Sequence, residues 1–312
     1  MISCIKHDKK SARKCSLDSA NFNSGTYWID VNNPDKKELG KIVKTLKVSD
    51  RNLLDSLDIK EVPRVVLRKN YCFVILRALT KDKKSVPIGV FVGKNYIMTV
   101  HPKLISSLDK FFNICLSKEG HEFFSMGVAY LFNRVISEFI REFNGELEKI
   151  SDKLNKVEDK ILKGTAQDMS DLFSIKKQFM FMRRAIRANM SAINKLNEVD
   201  SKLIREGYEN GISELIIEAT QTEHLVGLYD EKLTGVFDMY MTSVSNKLND
   251  IMRSFSVIAS LLLLPMLISG IWGMNFANIP FFGQKYGFFI PIVLMLMSMM
   301  IMVVFFRKKK WI

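Results

Sequence analysis

The sequence contains few of the residues from which metal centres and disulfide frameworks are built. Its 312 residues include only 4 histidines and 4 cysteines, and no two cysteines form a Cys-x-x-Cys pair. The histidines are too scattered for a metal cluster: they are His7, His101, His121 and His224. The string from Gly89 to Asn95 lacks the spacing and hydroxyl residue of a P-loop, and no His-Glu-x-x-His or Ser-His-Asp arrangement is evident. We therefore expect a protein that is not an enzyme and that has no organic cofactor.

Charge is absent from two long stretches near the C-terminus. No charged residue occurs from Ser254 to Gln284, and after the single Lys285 none occurs from Tyr286 to Phe306. A helix needs roughly twenty apolar residues to cross a bilayer. A chain of this length can scarcely wrap two wholly apolar helices in protein. We therefore predict two membrane-spanning helices, at residues 254–274 and 286–306.

The basic residues around these segments predict their orientation. Lys247 and Arg253 precede the first segment, and the connecting loop has only Lys285. The tail after the second segment contributes Arg307, Lys308, Lys309 and Lys310. By the positive-inside rule, both termini lie in the cytoplasm of a multi-pass protein of the cell membrane. Because the cytosol is reducing, we expect no disulfide among Cys4, Cys15, Cys72 and Cys115.

The formal net charge of the chain is +13. Such an excess could indicate nucleic-acid binding, but the basic residues are spread over the whole chain without a zinc-finger or RNP signature. We predict no nucleic-acid partner. The basic flanks suit a protein beside the anionic inner leaflet of a lipid bilayer.

The first 118 residues show an α/β pattern. Short runs rich in β-branched and aromatic residues predict strands at 26–31, 62–68, 71–79, 86–92 and 96–100. Helical spacing predicts helices at 35–46, 50–57 and 103–116. We therefore predict a mixed sheet with helices packed on it, in a cytosolic α/β domain of residues 1–118.

From residue 119 onward the strand signals end and charges at helical spacing dominate. Residues 119–206 predict long antiparallel cytosolic helices at 123–162 and 166–199, separated by a turn near Gly164. A third helix begins near Gly207 as a stalk of residues 207–253. It is predicted to continue without a break into the first membrane helix, for roughly 60 residues or about 90 Å. The remaining predicted segments are an outer loop at 275–285, the second membrane helix at 286–306 and a basic cytosolic tail at 307–312.

One face of the third helix carries polar residues in its cytosolic half and small or flexible residues in its membrane half. This stripe follows steps of four and three residues through Asp238, Thr242, Ser245, Asn249, Met252, Ser256, Ala259, Leu263, Met266 and Gly270. Periodicity alone leaves two interpretations open. The stripe lines a narrow lumen shared by several copies, or its small residues let two membrane helices approach closely.

Several short strings of the C-terminal region stand in a distinctive arrangement. They are Gly273-Met274-Asn275 at the end of the first apolar segment, the preceding 264–272, the stalk strings 238–240 and 244–247, and the ending 307–312. Together they resemble the CorA family of magnesium and cobalt transport proteins. The resemblance implies a homopentamer with a funnel-shaped cytosolic assembly, in which the first spans line the pore and the second spans form an outer ring.

The same resemblance assigns roles to individual residues. Gly273, Met274 and Asn275 become the selectivity filter at the outer mouth, where amide oxygens of Asn275 accept hydrogen bonds from water on hydrated Mg²⁺. This chemistry is sensible, because Mg²⁺ dehydrates reluctantly and usually keeps several waters. The pore lining becomes Asn249, Met252, Phe255, Ser256, Ala259, Leu263, Met266 and Gly270.

Two further positions bear on gating. Phe255 matches a constriction where the family commonly has leucine. The resemblance therefore implies a gate at this position, but it does not define the geometry of that gate. Asp238 matches a stalk aspartate that helps to bind a regulatory Mg²⁺ between subunits, with Asp82 as the nearest candidate partner by position. The alternative for Asp238 is an exposed stalk carboxylate without a ligand.

The loop after the motif departs from the family pattern. Family members often carry acidic residues there, whereas residues 277–285 of this chain contain none. Weaker attraction of cations to the mouth predicts a lower apparent affinity.

The resulting prediction is passive, gated uptake of Mg²⁺, and of Co²⁺ as a possible second substrate, driven by the membrane potential. Mg²⁺ is then both the substrate and the regulatory ligand, and the partners are other copies of the chain and the bilayer. One alternative is a family member that prefers Co²⁺, Ni²⁺ or Zn²⁺. Another is a membrane-tethered coiled-coil scaffold that conducts nothing.

Overall fold

The computed structural model describes residues 1–8, 11–22, 24–117, 120–164, 169–199, 201–275, 281 and 284–312. The chain divides into two compact units, Met1–Val236 and Phe237–Ile312. A seven-stranded sheet and its helices belong to the first unit, and two long apolar helices reach the second. The predicted fold class, an α/β region followed by long helices and two apolar C-terminal helices, is confirmed.

The sheet is mixed. In chain order its strands are β1 (Ile2–Asp8), β2 (Ser11–Cys15), β3 (Thr26–Asn32), β4 (Arg64–Leu67), β5 (Cys72–Leu79), β6 (Ser85–Val92) and β7 (Tyr96–His101). They lie side by side in the order β2-β1-β3-β7-β6-β5-β4. The central strands β3 and β7 are parallel, and the other neighbours are antiparallel. Strands β5 to β7 are buried along almost their whole length, as expected where both faces of a sheet are covered.

The hairpin of β1 and β2 is absent from the sequence-based prediction, although β3 to β7 match the five predicted strands closely. Strand β2 reads Ser-Ala-Arg-Lys-Cys and lies at the edge of the sheet. An edge strand is partly solvated, so it does not need the apolar run that identifies a central strand.

The same hairpin places two cysteines opposite each other. Cys4 and Cys15 are register partners with Cα atoms 5.2 Å apart, and they form a disulfide. The expectation of no disulfide is therefore wrong for this pair, because strand pairing brings the two side chains together. Cys72 and Cys115 are free and buried. Burial raises the pKa of each thiol to about 12, so both stay protonated and unreactive at neutral pH.

Among the described residues, seven α-helices belong entirely to the first unit. They are α1 (Lys36–Leu46), α2 (Asp50–Asp55), α3 (Ser106–Cys115), α4 (Gly120–Ser125), α5 (Val128–Leu162), α6 (Ser170–Glu198) and α7 (Lys202–Arg205). The single helix predicted at 123–162 is in fact the end of α4 followed by α5. The break falls at Gly127, whose φ of 93° lies in the left-handed region that glycine adopts without strain.

The helices cover the two faces of the sheet with separate apolar cores. On one face, Ile42 of α1 and Leu53 of α2 pack with sheet residues such as Phe73. On the other face, α5 and α6 contribute large side chains, and the first turns of the longest helix add Leu215. Phe132 of α5 is fully buried in this second core. Because the sheet, α5, α6 and the start of the longest helix share one core, they form one folded unit.

A buried amide joins α6 to the sheet beside the start of β4. Asn189 accepts a hydrogen bond from the backbone N–H of Arg77 at 2.7 Å, and its Nδ2 donates to the Arg77 carbonyl at 2.8 Å. The last register pair of β4 with β5 is Arg64 with Ile75, so Arg77 lies just beyond the paired segment. Asn189 thus satisfies backbone groups that would otherwise be buried without a strand partner.

Two apolar helices complete the chain. Helix α8 runs from Gly211 to Trp272 as 62 residues without interruption, and α9 runs from Phe289 to Lys308. Both are long and apolar enough to cross a membrane, and only 6% and 11% of their most apolar stretches is buried. A core helix of a soluble protein would be covered on all sides. The two helices are therefore candidate membrane spans by their length and composition.

Candidate ion pathway

The Gly-Met-Asn string lies immediately after the end of α8. The N–H of Gly273 still donates to the carbonyl of Ser269 at 2.9 Å, and that of Met274 donates to Ile271 at 3.3 Å. Asn275 follows as an exposed residue outside the helix. Among the described residues its side-chain amide has no hydrogen-bond partner. The rest of the predicted outer loop, including Phe276 and Ala277, falls largely outside the described residues.

Gly273 has no conformational requirement for glycine within one chain. Its φ does not lie in the left-handed region, and an added Cβ would meet the carbonyl oxygen of Ser269 at 3.2 Å. That contact is tight but local.

Every predicted pore-lining residue of α8 is exposed in the single chain. Met266 is 73% exposed and Leu263 is 64% exposed, which are high values for large apolar side chains. The buried or half-buried residues of the same helical segment are Val257, Ser260, Leu261, Leu264, Pro265, Ile268 and Trp272. At 100° per residue the centre of this covered face lies about 160° from the centre of the stripe. The stripe is therefore the uncovered side of the helix.

Two hydroxyl groups of the stripe donate hydrogen bonds within α8 itself. Thr242 donates to the carbonyl of Asp238 at 2.9 Å, and Ser256 donates to the carbonyl of Met252 at 2.8 Å. Such bonds let a hydroxyl residue lie in an apolar environment at little cost. From Met252 to Gly270 the stripe consequently presents apolar or small surface, which is suited to gating by dewetting.

Phe255 lies between the stripe and a cavity in the second unit. The cavity has a volume of about 310 Å³ and is lined by Lys247, Asp250, Ile251, Ser254, Phe255 and Ile258. Phe255 is 67% exposed, so its ring is not fixed by packing in the single chain. A phenylalanine at this position therefore has room to change rotamer towards either side.

Asp238 is exposed on α8, and Asp82 is exposed in the turn that follows β5. Within the described part of one chain, no group of three or more His, Cys, Asp or Glu side chains could hold a metal ion. The described part of one chain therefore shows no preformed cluster of this kind at Asp238. The predicted sensor role stays a prediction.

The sequence predicts that the histidines are too scattered for a metal cluster, and the fold brings two of them into contact. Nε2 of His7 on β1 lies 2.6 Å from Nδ1 of His121 on α4, and the ring of His7 stacks on Phe124. His101 is also buried, with Nε2 3.0 Å from Asp30 and Nδ1 2.7 Å from the Lys103 carbonyl. The contacts of His101 with Asp30 and of His7 with His121 join residues 71 and 114 positions apart, so no local sequence pattern could predict them.

From the contact between His7 and His121 we predict that acidic pH lowers the unfolding free energy of the first unit. Burial lowers the pKa of His7, His121 lowers it further, and Asp8 opposes both effects. In the unfolded chain, the pKa of His7 is about 6.5. Below that pH, and down to the folded pKa, the unfolded chain binds more protons and stability falls with the pH. We expect a lower unfolding free energy at about pH 5.5 than at about pH 7.5, measured by urea denaturation.

The control for this prediction is a second histidine substitution. His7→Phe should reduce the pH dependence, since a phenylalanine can keep the packing on Phe124 without a proton to gain. His224→Phe changes an exposed histidine and should leave the dependence unchanged. Equal pH dependence in the parent and both variants would contradict the assignment to His7.

Comparisons with known proteins agree with this geometry. A family model described as CorA-like Mg²⁺ transporter protein matches residues 23–308. The chain is 27% identical over 292 residues to the cobalt/magnesium transport protein CorA of Methanocaldococcus jannaschii, with 91% of each protein covered. It is 26% identical over 268 residues to the cobalt/magnesium transport protein CorA of Thermotoga maritima, covering 83% of this chain and 76% of that protein.

A solved structure gives the same result. The complete structure of the CorA magnesium transporter from Methanocaldococcus jannaschii matches with a TM-score of 0.87 at 25% sequence identity. The match covers 100% of this chain and 99% of that one. The likeness therefore includes both the sheet and the apolar helices.

Proposed function

Because this chain belongs to the CorA family of Mg²⁺ transporters, we propose that it is a passive, gated channel for Mg²⁺ uptake. As a family member it is a membrane transporter of the Mg²⁺/Co²⁺ class and not an enzyme. The observation that carries the proposal is the uncovered stripe of α8, which leads to the Gly-Met-Asn string at the end of that helix.

The pathway is proposed to form between copies of the chain. One helix cannot enclose a pore, and the stripe of each copy is exposed and opposite its covered face. Placing these stripes around a common axis lines a lumen with small and flexible side chains. We take the assembly to be a homopentamer, as the family resemblance implies.

Selection is proposed to act on the hydrated ion. Asn275 is exposed, and its amide makes no hydrogen bond within the described residues. A ring of such amides offers neutral oxygen acceptors to the water shell of Mg²⁺, which the ion gives up reluctantly. Carboxylates would hold a divalent ion longer and slow its release. The proposed outer loop lacks acids, and the predicted lower apparent affinity stays a prediction because residues 277–280 lie outside the described chain.

The driving force is proposed to be electrical. A divalent cation moving inward gains about 4.6 kcal/mol per 100 mV of inside-negative potential, twice the single-charge value. No nucleotide site is needed for that step. Basic residues flank the spans, with Lys247 and Arg253 before the first and the 307–310 cluster after the second. They support a location in the cell membrane with both termini in the cytoplasm.

Closure is proposed to follow binding of intracellular Mg²⁺ near Asp238. An ion bridging carboxylates of adjacent subunits would stabilise one arrangement of the stalks, and its loss would release them.

A preference for Co²⁺, Ni²⁺ or Zn²⁺ is the closest competing function. Residues 237–312 contain neither cysteine nor histidine, the ligands that favour those metals. Oxygen ligands and an intact motif support Mg²⁺, with Co²⁺ as a second substrate. Competition of each metal with Mg²⁺ in the uptake assay below would rank them.

The test is Mg²⁺ uptake by the purified chain in liposomes that contain a Mg²⁺-sensitive dye. We expect influx under an inside-negative potential and its loss when the potential is collapsed. Removing Mg²⁺ from the interior should increase the initial rate. If no influx occurs with or without internal Mg²⁺, the non-conducting scaffold becomes the better description.

A further inference from the structure

The last residues of the chain form an ordered helix cap. The N–H of Trp311 donates to the carbonyl of Phe306 at 2.9 Å, and that of Lys310 donates to Arg307 at 3.0 Å. These are the 6→1 and 5→2 hydrogen bonds of a Schellman motif, in which Lys310 occupies the position usually taken by glycine. Its φ of 56° lies in the left-handed region, as that position requires. The chain therefore turns sharply at the end of α9.

The cap fixes the position of an aromatic ring. Trp311 stacks on Phe306 with ring centroids 5.8 Å apart and an interplanar angle of 14°. This is the apolar contact that commonly accompanies a Schellman motif. Phe306 is 4% exposed, whereas Trp311 keeps 47% of its surface exposed. An aromatic ring of this kind at the end of an apolar helix is typical of the interface between hydrocarbon and headgroups.

The cap also concentrates unpaired positive charge. Arg307, Lys308, Lys309 and Lys310 are all exposed. Among the described residues none of the four has a carboxylate within ion-pair distance. The unit Phe237–Ile312 as a whole has seven basic residues and two acidic ones, Asp238 and Asp250. Asp250 lies 3.4 Å from Arg253.

We propose that this cap binds the phosphate groups of anionic phospholipids. Trp311 and Phe306 hold the chain at the hydrocarbon boundary, and the sharp turn keeps the cationic side chains beside the headgroups. Cations this close to a bilayer lie within a Debye length of its surface charge. Arginine and lysine are the side chains that recognise phosphate oxygens. The proposal rests on α9 crossing a bilayer and does not depend on which ion the chain carries.

The chemistry favours lipid over an acidic protein segment. The four cations occupy the end of the apolar helix and its cap, and the half-exposed Trp311 follows them directly in the sequence. Binding of an acidic peptide would account for the cationic side chains but not for the indole of Trp311. Headgroup phosphates beside acyl chains satisfy both requirements.

The test uses the full chain in nanodiscs and the fluorescence of Trp311. Brominated phosphatidylglycerol and brominated phosphatidylcholine quench tryptophan on contact, and each is added at the same mole fraction. The difference between the parent and Trp311→Phe isolates the signal of Trp311. We expect stronger quenching by the anionic lipid, and we expect Lys308→Gln with Lys309→Gln to reduce that preference by about fivefold or more.

Three outcomes would overturn the proposal. The first is equal quenching of Trp311 by the two lipids. The second is a preference that survives the double glutamine variant. The third is loss of the preference on adding millimolar inorganic phosphate, which would indicate a site for free phosphate. Unchanged helicity and Mg²⁺ uptake of the variant show that it has folded, and they keep this result separate from the proposed transport function.

A matched pair of substitutions tests the cap itself. Lys310→Asn and Lys310→Val remove the same charge, but asparagine tolerates the left-handed conformation and a β-branched valine does not. We expect quenching of Trp311 by the anionic lipid to be largely retained with asparagine and reduced with valine. The same result for both would show that charge alone places the ring and would refute the role of the cap.

Discussion

Asn275→Ala should reduce Mg²⁺ uptake about tenfold or more, because hydrogen bonds to a charged group contribute about 1.5–3 kcal/mol each and 1.4 kcal/mol is a factor of ten. The residue is exposed directly after α8, where a ring of amides can receive the hydrated ion. Alanine keeps the backbone and removes the acceptor. The measurement is the initial rate of dye-reported influx in liposomes at matched protein content and potential.

The control for Asn275 is the second asparagine of the same loop. Asn278→Ala makes the same chemical change three positions further along the sequence and should leave uptake close to that of the parent. Asn275→Asp adds a different comparison, since a carboxylate should bind Mg²⁺ at lower concentration but release it more slowly. If Asn275→Ala transports at the parental rate, the ion is recognised elsewhere.

The fold could be predicted where the apolar pattern was decisive. The central strands carry long apolar runs such as Cys72–Leu79, which burial on both faces demands. The polar edge strand Ser11–Cys15 has no such requirement, and its pairing with β1 depends on the neighbouring strand. The break at Gly127 is similar, because glycine is compatible with a helix until tertiary packing selects a positive φ.

The candidate pathway was also predicted only in part. The stripe of α8 was visible because its residues repeat every three or four positions and share one helical face. The sequence could not decide between a lumen and close helix packing, because both need small residues. The structure adds that the stripe is uncovered while Val257 and Trp272 lie on the covered face. Contacts such as His7 with His121 depend on the tertiary fold and have no counterpart in local periodicity.

One continuous helix connects the proposed sensor to the proposed filter. Asp238 and Trp272 belong to the same 62-residue helix, with Phe255 about midway between them. A rigid helix transmits rotation or tilt along its length without requiring a chain of side-chain contacts. A change in ion binding at the stalk can therefore alter the lumen near Phe255 by moving the whole element.

Asp238→Asn should raise the intracellular Mg²⁺ concentration that half-inhibits uptake by about tenfold. A divalent ion loses affinity as the charge of its ligands falls, and a tenfold change corresponds to about 1.4 kcal/mol. Asn keeps the size of the side chain and the helix, in which the Asp238 carbonyl still accepts from Thr242. The measurement is the influx rate into liposomes loaded with graded internal Mg²⁺.

A matched variant separates a specific sensor from general charge. Glu231→Gln removes one exposed carboxylate from the same face of α8, two turns earlier, and should leave half-inhibition unchanged. If both variants shift inhibition equally, the stalk acts through its summed negative potential. If neither does, Asp238 is an exposed carboxylate without a ligand and closure has another cause. A shift confined to Asp238→Asn is the result that an ion bridging two subunits requires, because only direct ligation distinguishes carboxylates so close together on one helical face.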